Sequence, residues 1–166
     1  MSLHDLFSAL QGTPFATAIR EGELLFPWIE SIHVLAITLV VGTISVVDLR
    51  LLGVPAHQKG LRKLMADVLP FTWGAFLVAV VSGFLMFSSS AVKYSGEITF
   101  QVKMMLLVLA GLNMAFFHFI TFRSVDLWDE MIRTPFAAKL AGGGSLVLWA
   151  SVVLFGRLVG FAIAAS

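Results

Sequence analysis

Residues 28–52 read WIESIHVLAITLVVGTISVVDLRLL, and the fold turns on this stretch. Between Glu30 and Asp48 its only ionisable side chain is His33. A helix that is apolar all round belongs in a large core or a bilayer, and about 20 such residues cross a ~30 Å hydrocarbon layer. Pro27 suits the first turn of such a helix, and Gly53-Val54-Pro55 ends it. Three further stretches have the same character, at about 68–87, 98–122 and 140–163. A Ser-rich turn through Ser88, Ser89 and Ser90 to Gly96 precedes the third, and Gly142, Gly143 and Gly144 lie near the start of the fourth. Glycine is tolerated inside membrane helices, so the triple glycine loosens that boundary without removing the span.

Composition agrees: 58% of the 166 residues are hydrophobic and 13% charged, against about 45–50% and about 25% in soluble domains. The expected fold class is all-α, an integral membrane four-helix bundle forming one domain over 1–166, with no room for a separate soluble catalytic domain. A net charge of +1 provides no basic field for nucleic acid. The absence of cysteine excludes disulfides, thiolate zinc sites and iron–sulfur clusters. Any metal must be held by His, Met, carboxylate or a prosthetic group.

Ahead of the spans, Leu3, Leu6, Phe7 and Leu10 recur at helical spacing behind a Ser2-x-x-Asp5 start signal. They predict a short amphipathic helix over 2–13, ending near Gly12 and Pro14, which lies in the headgroup plane or packs across the mouth of the bundle. The first basic residue is Arg20, so no basic signal-peptide region opens the chain, and insertion through the helices themselves is expected. Arg50, Lys59, Arg62 and Lys63 lie in the first loop, and Arg123, Arg133 and Lys139 in the third. Only Arg20 and Lys93 lie on the other side, so both termini are expected outside the cytoplasm.

An ionisable group inside a span costs about 2.5–3.5 kcal/mol on insertion scales, so each needs a partner or a purpose. Alternating helix direction sorts these groups into two layers. Glu30 and His33, Lys103, and Arg157 share the outer one with Met86, Met104 and Met105, whose thioethers are soft ligands. Asp48, Arg50, His118 and Arg123 share the inner one. His33 and His118 differ in depth by roughly 14 positions, about 21 Å, so one iron cannot take both within a subunit. There are two metal sites, one at His33, or none. The bland readings are a helix-to-helix hydrogen bond for His33, an interfacial staple of Asp48 with His118, and cations reaching out to water at Lys103 and Arg157. Ser31, Thr38, Gly42 and Ser45 form a small, weakly polar stripe that suits helix packing. His4 and His57 lie outside the spans and receive no role.

The run Trp28-Ile-Glu-Ser-Ile-His33-Val-Leu-Ala36, closing with Val47-Asp-Leu-Arg-Leu-Leu-Gly53, resembles a family of uncharacterised bacterial inner-membrane proteins of about this length. More distantly, His33 with Lys103 is similar to the pattern in the bacterial haem-carrying membrane protoporphyrinogen oxidase and in copper-resistance D-type membrane domains. That likeness implies a haem-ligand role for His33 and a functional partner in Lys103. The flanking residues of the first span differ from that enzyme's, so its substrate does not transfer. The expectation is therefore a b-type haem protein of the inner membrane with an electron-transfer or oxidoreductase role. Haem b would be held by His33, Lys103, Arg157, Glu30 and Met86, among apolar and aromatic walls. Two alternatives stand beside it: a small metal-ion or solute permease, and an accessory subunit packed in the bilayer as a homo-oligomer or part of a larger complex.

Overall fold

The computed structural model describes residues 2–54, 60–122, 125 and 134–165. Pro55, His57, Lys59, Arg123 and Arg133 lie outside the described residues. Within them the secondary structure is helical, with no strand.

Helix α1, Leu3–Gln11, starts as its sequence signal predicts. The Asp5 amide donates to Ser2 Oγ at 3.2 Å and the Ser2 amide donates to Asp5 Oδ2 at 2.7 Å, closing a capping box. Pro14 opens a second helix, α2, Pro14–Glu21, which sequence reading treated as part of a terminating signal. Proline at the first helical position loses no hydrogen bond, so the same residue serves equally well as a start. A hairpin of two short helices thus precedes the bundle.

The four spans are α3 (Leu25–Leu52), α4 (Leu61–Ser89), α6 (Ile98–Phe116) with a π-helical turn at Phe117–Thr121, and α7 (Phe136–Ala165). Each is long and apolar enough to cross a bilayer. Gly53 closes α3 at φ 87°, a left-handed conformation that glycine enters without strain. α4 starts at Leu61 instead of about Val68, because Arg62, Lys63 and Asp67 lower hydropathy without opposing a helix. The third span does not stay α-helical through Phe122 and widens into the π turn at Phe117. A short helix, α5 (Ala91–Gly96), occupies the expected serine-rich turn.

α4 packs on α3, α3 on α7, and α7 on α6. Exposed Leu77, Leu112 and Phe161 typify the outward faces, which suit lipid. The inner end closes on Leu51, Leu61, Met65, Phe117, Val125, Ala138 and Ala141. The outer end closes on rings: Phe87 stacks on Phe100 at 5.4 Å and meets Phe7 edge-on at 5.5 Å. Polar clasps hold α1 and α2 there, with Arg20 Nη1 donating to the Ser89 carbonyl at 3.2 Å and the Val92 amide to Gln11 Oε1 at 3.1 Å. α1 therefore lies across the mouth of the bundle against α4 and α5, while Leu3 and Leu6 remain exposed.

Candidate functional site

Opposed helix directions bring the start of α3 to the end of α4, and His33 meets Ser82 there, Nδ1 to Oγ, at 2.9 Å. Ser82 is 5% exposed and donates its single hydroxyl proton to the Val78 carbonyl at 2.6 Å. While that bond is kept, Ser82 Oγ is left to accept from the imidazole, the arrangement that puts the ring proton on Nδ1 and leaves Nε2 its lone pair; the Ala79 carbonyl is a further acceptor for the ring. This is the arrangement by which an outer hydrogen bond orients a ligating histidine. Gly83 leaves space for the ring: a Cβ there would stand 2.9 Å from His33 Cε1.

Lys103 on α6 lies close enough to act electrostatically on His33. Its stem packs on α7 at Gly156, where a Cβ would lie 3.6 Å from Cε and 3.7 Å from Nζ. Among the described residues no carboxylate or hydrogen-bond acceptor engages its ammonium. Thr99, one turn earlier on the same face of α6, has a buried hydroxyl oxygen with no hydrogen-bond partner. A cation and a hydroxyl on one helix face, both without acceptors, suit an anionic group. Glu30, half-buried, reaches Tyr94 electrostatically; burial first, and Glu30 second, hold that phenol above its ordinary range.

The remaining residues predicted for the outer layer are dispersed. Met86 is half-buried four residues after Ser82, on the same face of α4. Met104 and Met105 are exposed. Arg157 is exposed and holds its guanidinium 5.0 Å above the ring of Phe161 on its own helix, so Gly156, not Arg157, faces Lys103. Sequence reading missed Ser82, Gly83, Gly156 and Thr99. The Ser82-Gly83 pair, at the depth of His33 in an otherwise apolar run, was the available signal.

In the inner layer the expected pair does not meet. Asp48 is 4% exposed and bonds Ser145 of α7. His118 is exposed in the π turn, its ring stacked on Phe122 at 5.6 Å and edge-on to Phe119 at 5.7 Å. Shared depth does not make two side chains face each other, and here each has a different neighbour. Among the described residues no three His, Asp or Glu side chains gather as a bare metal ion would require.

The chain belongs to the family of unknown function designated DUF6644, whose profile matches residues 18–162. No curated protein and no solved structure matches it. The family assignment agrees with the likeness to uncharacterised proteins, whereas the likeness to haem-carrying oxidase and copper-resistance domains remains one of two residues.

Proposed function

We propose that this member of the DUF6644 family is a membrane-embedded b-type haem protein with an electron-transfer or oxidoreductase role, its haem held in the outer layer at His33. The observation that carries the reading is the 2.9 Å contact of His33 Nδ1 with Ser82 Oγ, whose own proton goes to Val78, an arrangement that favours Nε2 as a ligating nitrogen. Haem brings its own four nitrogen ligands, so a lone imidazole suffices where the described residues hold no cluster for a bare ion. Its propionates would answer the ammonium of Lys103 and the hydroxyl of Thr99 with charge-assisted hydrogen bonds. Met86 is available on the Ser82 face of α4 as a second ligand.

When bound, the group supplies reversible one-electron chemistry. The chain's own part is to fix the imidazole through Ser82, to make room for it at Gly83, and to exclude water beneath Phe7, Phe87 and Phe100. In the orientation favoured by Arg62, Lys63 and Lys139, this layer faces away from the cytoplasm of a bacterial inner membrane.

An accessory role in a larger complex has an observation of its own. Ser31 and Thr38 are exposed and bond only their own helix, and a Cβ at Gly42 would meet nothing within 4 Å. Among the described residues nothing engages these three positions of α3 from another helix, which supports a further helix packing there.

Absorption spectra of the detergent-purified protein, expressed with ample haem supply, test the main reading. A Soret band and sharp reduced α and β bands are expected; a colourless protein overturns it and leaves the accessory reading. Reporter fusions after Arg62 and after Tyr94 test orientation, with the first expected inside and the second outside.

A further inference from the structure

The inner layer holds a carboxyl for which the outer site has no use. Asp48 lies fifteen residues from His33 on the same helix, about 22 Å of helix rise. It is 4% exposed and bonded to Ser145, which is itself 8% exposed. Its Oδ2 has no hydrogen-bond partner. Among the described residues, the charged and titratable groups on the surrounding elements are Arg50 on α3, Arg62, Lys63 and Asp67 on α4, His118 in the π turn and Lys139 on α7. Among the described residues, Ser145 is the group that bonds the Asp48 carboxyl. A buried carboxylate with no counter-charge costs several kcal/mol, on the order of what a broken ion pair costs.

Packing does not require this carboxyl. A Cβ on Gly142 would stand 2.9 Å from Leu51 Cβ and 3.0 Å from the Asp48 carbonyl, so α3 and α7 already touch through backbone and aliphatic atoms. Other oxygens gather around the same turn of α7. Asn113 Nδ2 donates to the Ala141 carbonyl at 3.0 Å, and its Oδ1 lies 3.7 Å from where a Gly144 Cβ would be. Residues 141, 144 and 145 share one face of α7, which places the Asn113 amide oxygen and Ser145 hydroxyl along it. The donors are all oxygens, the set that suits a hard, singly charged cation rather than a soft metal.

We propose that Asp48 and Ser145 form a second site that takes up one monovalent positive charge, a proton or an alkali-metal ion, on the open carboxylate oxygen. The site is independent of the haem reading, since it shares no residue with the outer layer.

Infrared difference spectra of the full chain in lipid nanodiscs test it. One arm is a pH step without sodium, and the other a sodium chloride step against choline chloride at fixed pH. A proton site gives a carboxylic-acid C=O band that comes and goes with pH and is lost in Asp48→Asn. A sodium site gives a shifted carboxylate stretch and a raised Tm in the sodium step alone, both lost in Asp48→Asn. Ser145→Ala keeps the carboxyl while removing its partner, so it must move the band or weaken the sodium response; this assigns the signal even if Asp48→Asn does not fold. A wild-type protein with neither response, or a response unchanged in Ser145→Ala, overturns the proposal.

Discussion

At the outer layer α3 meets α4 through an imidazole and a hydroxyl, and Gly83 leaves space for the ring of His33. At the inner layer α3 meets α7 through Asp48 and Ser145, and the neighbouring Gly142 brings backbone against backbone. Glycine thus performs two tasks in one bundle. Outside it makes room for a functional side chain, and inside it removes the room between helices. Small residues in a membrane helix do not mean packing by default, because the atom that would collide with an added methyl group decides which task is performed.

The largest expected effect sets the two layers against each other. His33→Ala removes the proposed iron ligand, and haem content should fall by well over the roughly 10–100-fold in affinity that loss of an outer-shell partner costs. His118→Ala removes a solvent- or lipid-facing ring whose stack on Phe122 is worth about 0.5–1.5 kcal/mol, and should retain most of the haem. Equal losses would break the comparison and imply two sites.

A smaller effect distinguishes the glycines. Gly83→Ala puts a methyl group 2.9 Å from His33 Cε1 and should displace the ring while leaving the helix intact, which absorption at unchanged Tm would record. Gly74→Ala on the same helix meets nothing within 4 Å and should alter neither. Gly142→Ala should do the reverse of Gly83→Ala. The opposing Leu51 Cβ and Asp48 carbonyl cannot swing aside, so a loss of about 1–3 kcal/mol in thermal or denaturant stability is expected, with the haem spectrum unchanged.

The smallest effect belongs to the roof above the outer layer. The Ser2 amide, and then its hydroxyl, hold the Asp5 carboxyl below its ordinary range. Such a group stabilises the folded state above its unfolded value and loses that contribution as pH falls through the folded one. Acidification below about pH 4 should therefore fray the start of α1, seen as faster amide exchange at Asp5 and Leu6, while the Phe7–Phe87 contact holds.

Depth was legible in the sequence. Hydropathy located the four spans, and alternating direction correctly put His33 and Lys103 in one layer, because both follow from length and rise per residue. Azimuth was legible only in part. Arg157 was assigned to the site by depth, yet its immediate neighbour Gly156 faces Lys103 and the guanidinium lies over Phe161. The Asp48–His118 pair was likewise drawn from shared depth, whereas Asp48 turns to Ser145 of α7 and His118 to Phe122 on its own span. Ser82 carried a signal in its depth beside Gly83, but its partner was not legible. A serine in an apolar run most often bonds its own helix, as Ser82 also does, and its second bond depends on which helix lies opposite.

Imidazole rescue tests the central claim most directly, namely that Nε2 of His33 is the ligating nitrogen. His33→Gly leaves a gap bordered by Ser82 and Gly83 that is the size of the missing ring. Purified with haem and titrated with free imidazole, this variant should start with almost no Soret absorbance. It should then recover a spectrum close to that of the wild type, and the recovery should weaken when Ser82→Ala is added. Haem retained by His33→Gly before any imidazole is supplied would contradict the account.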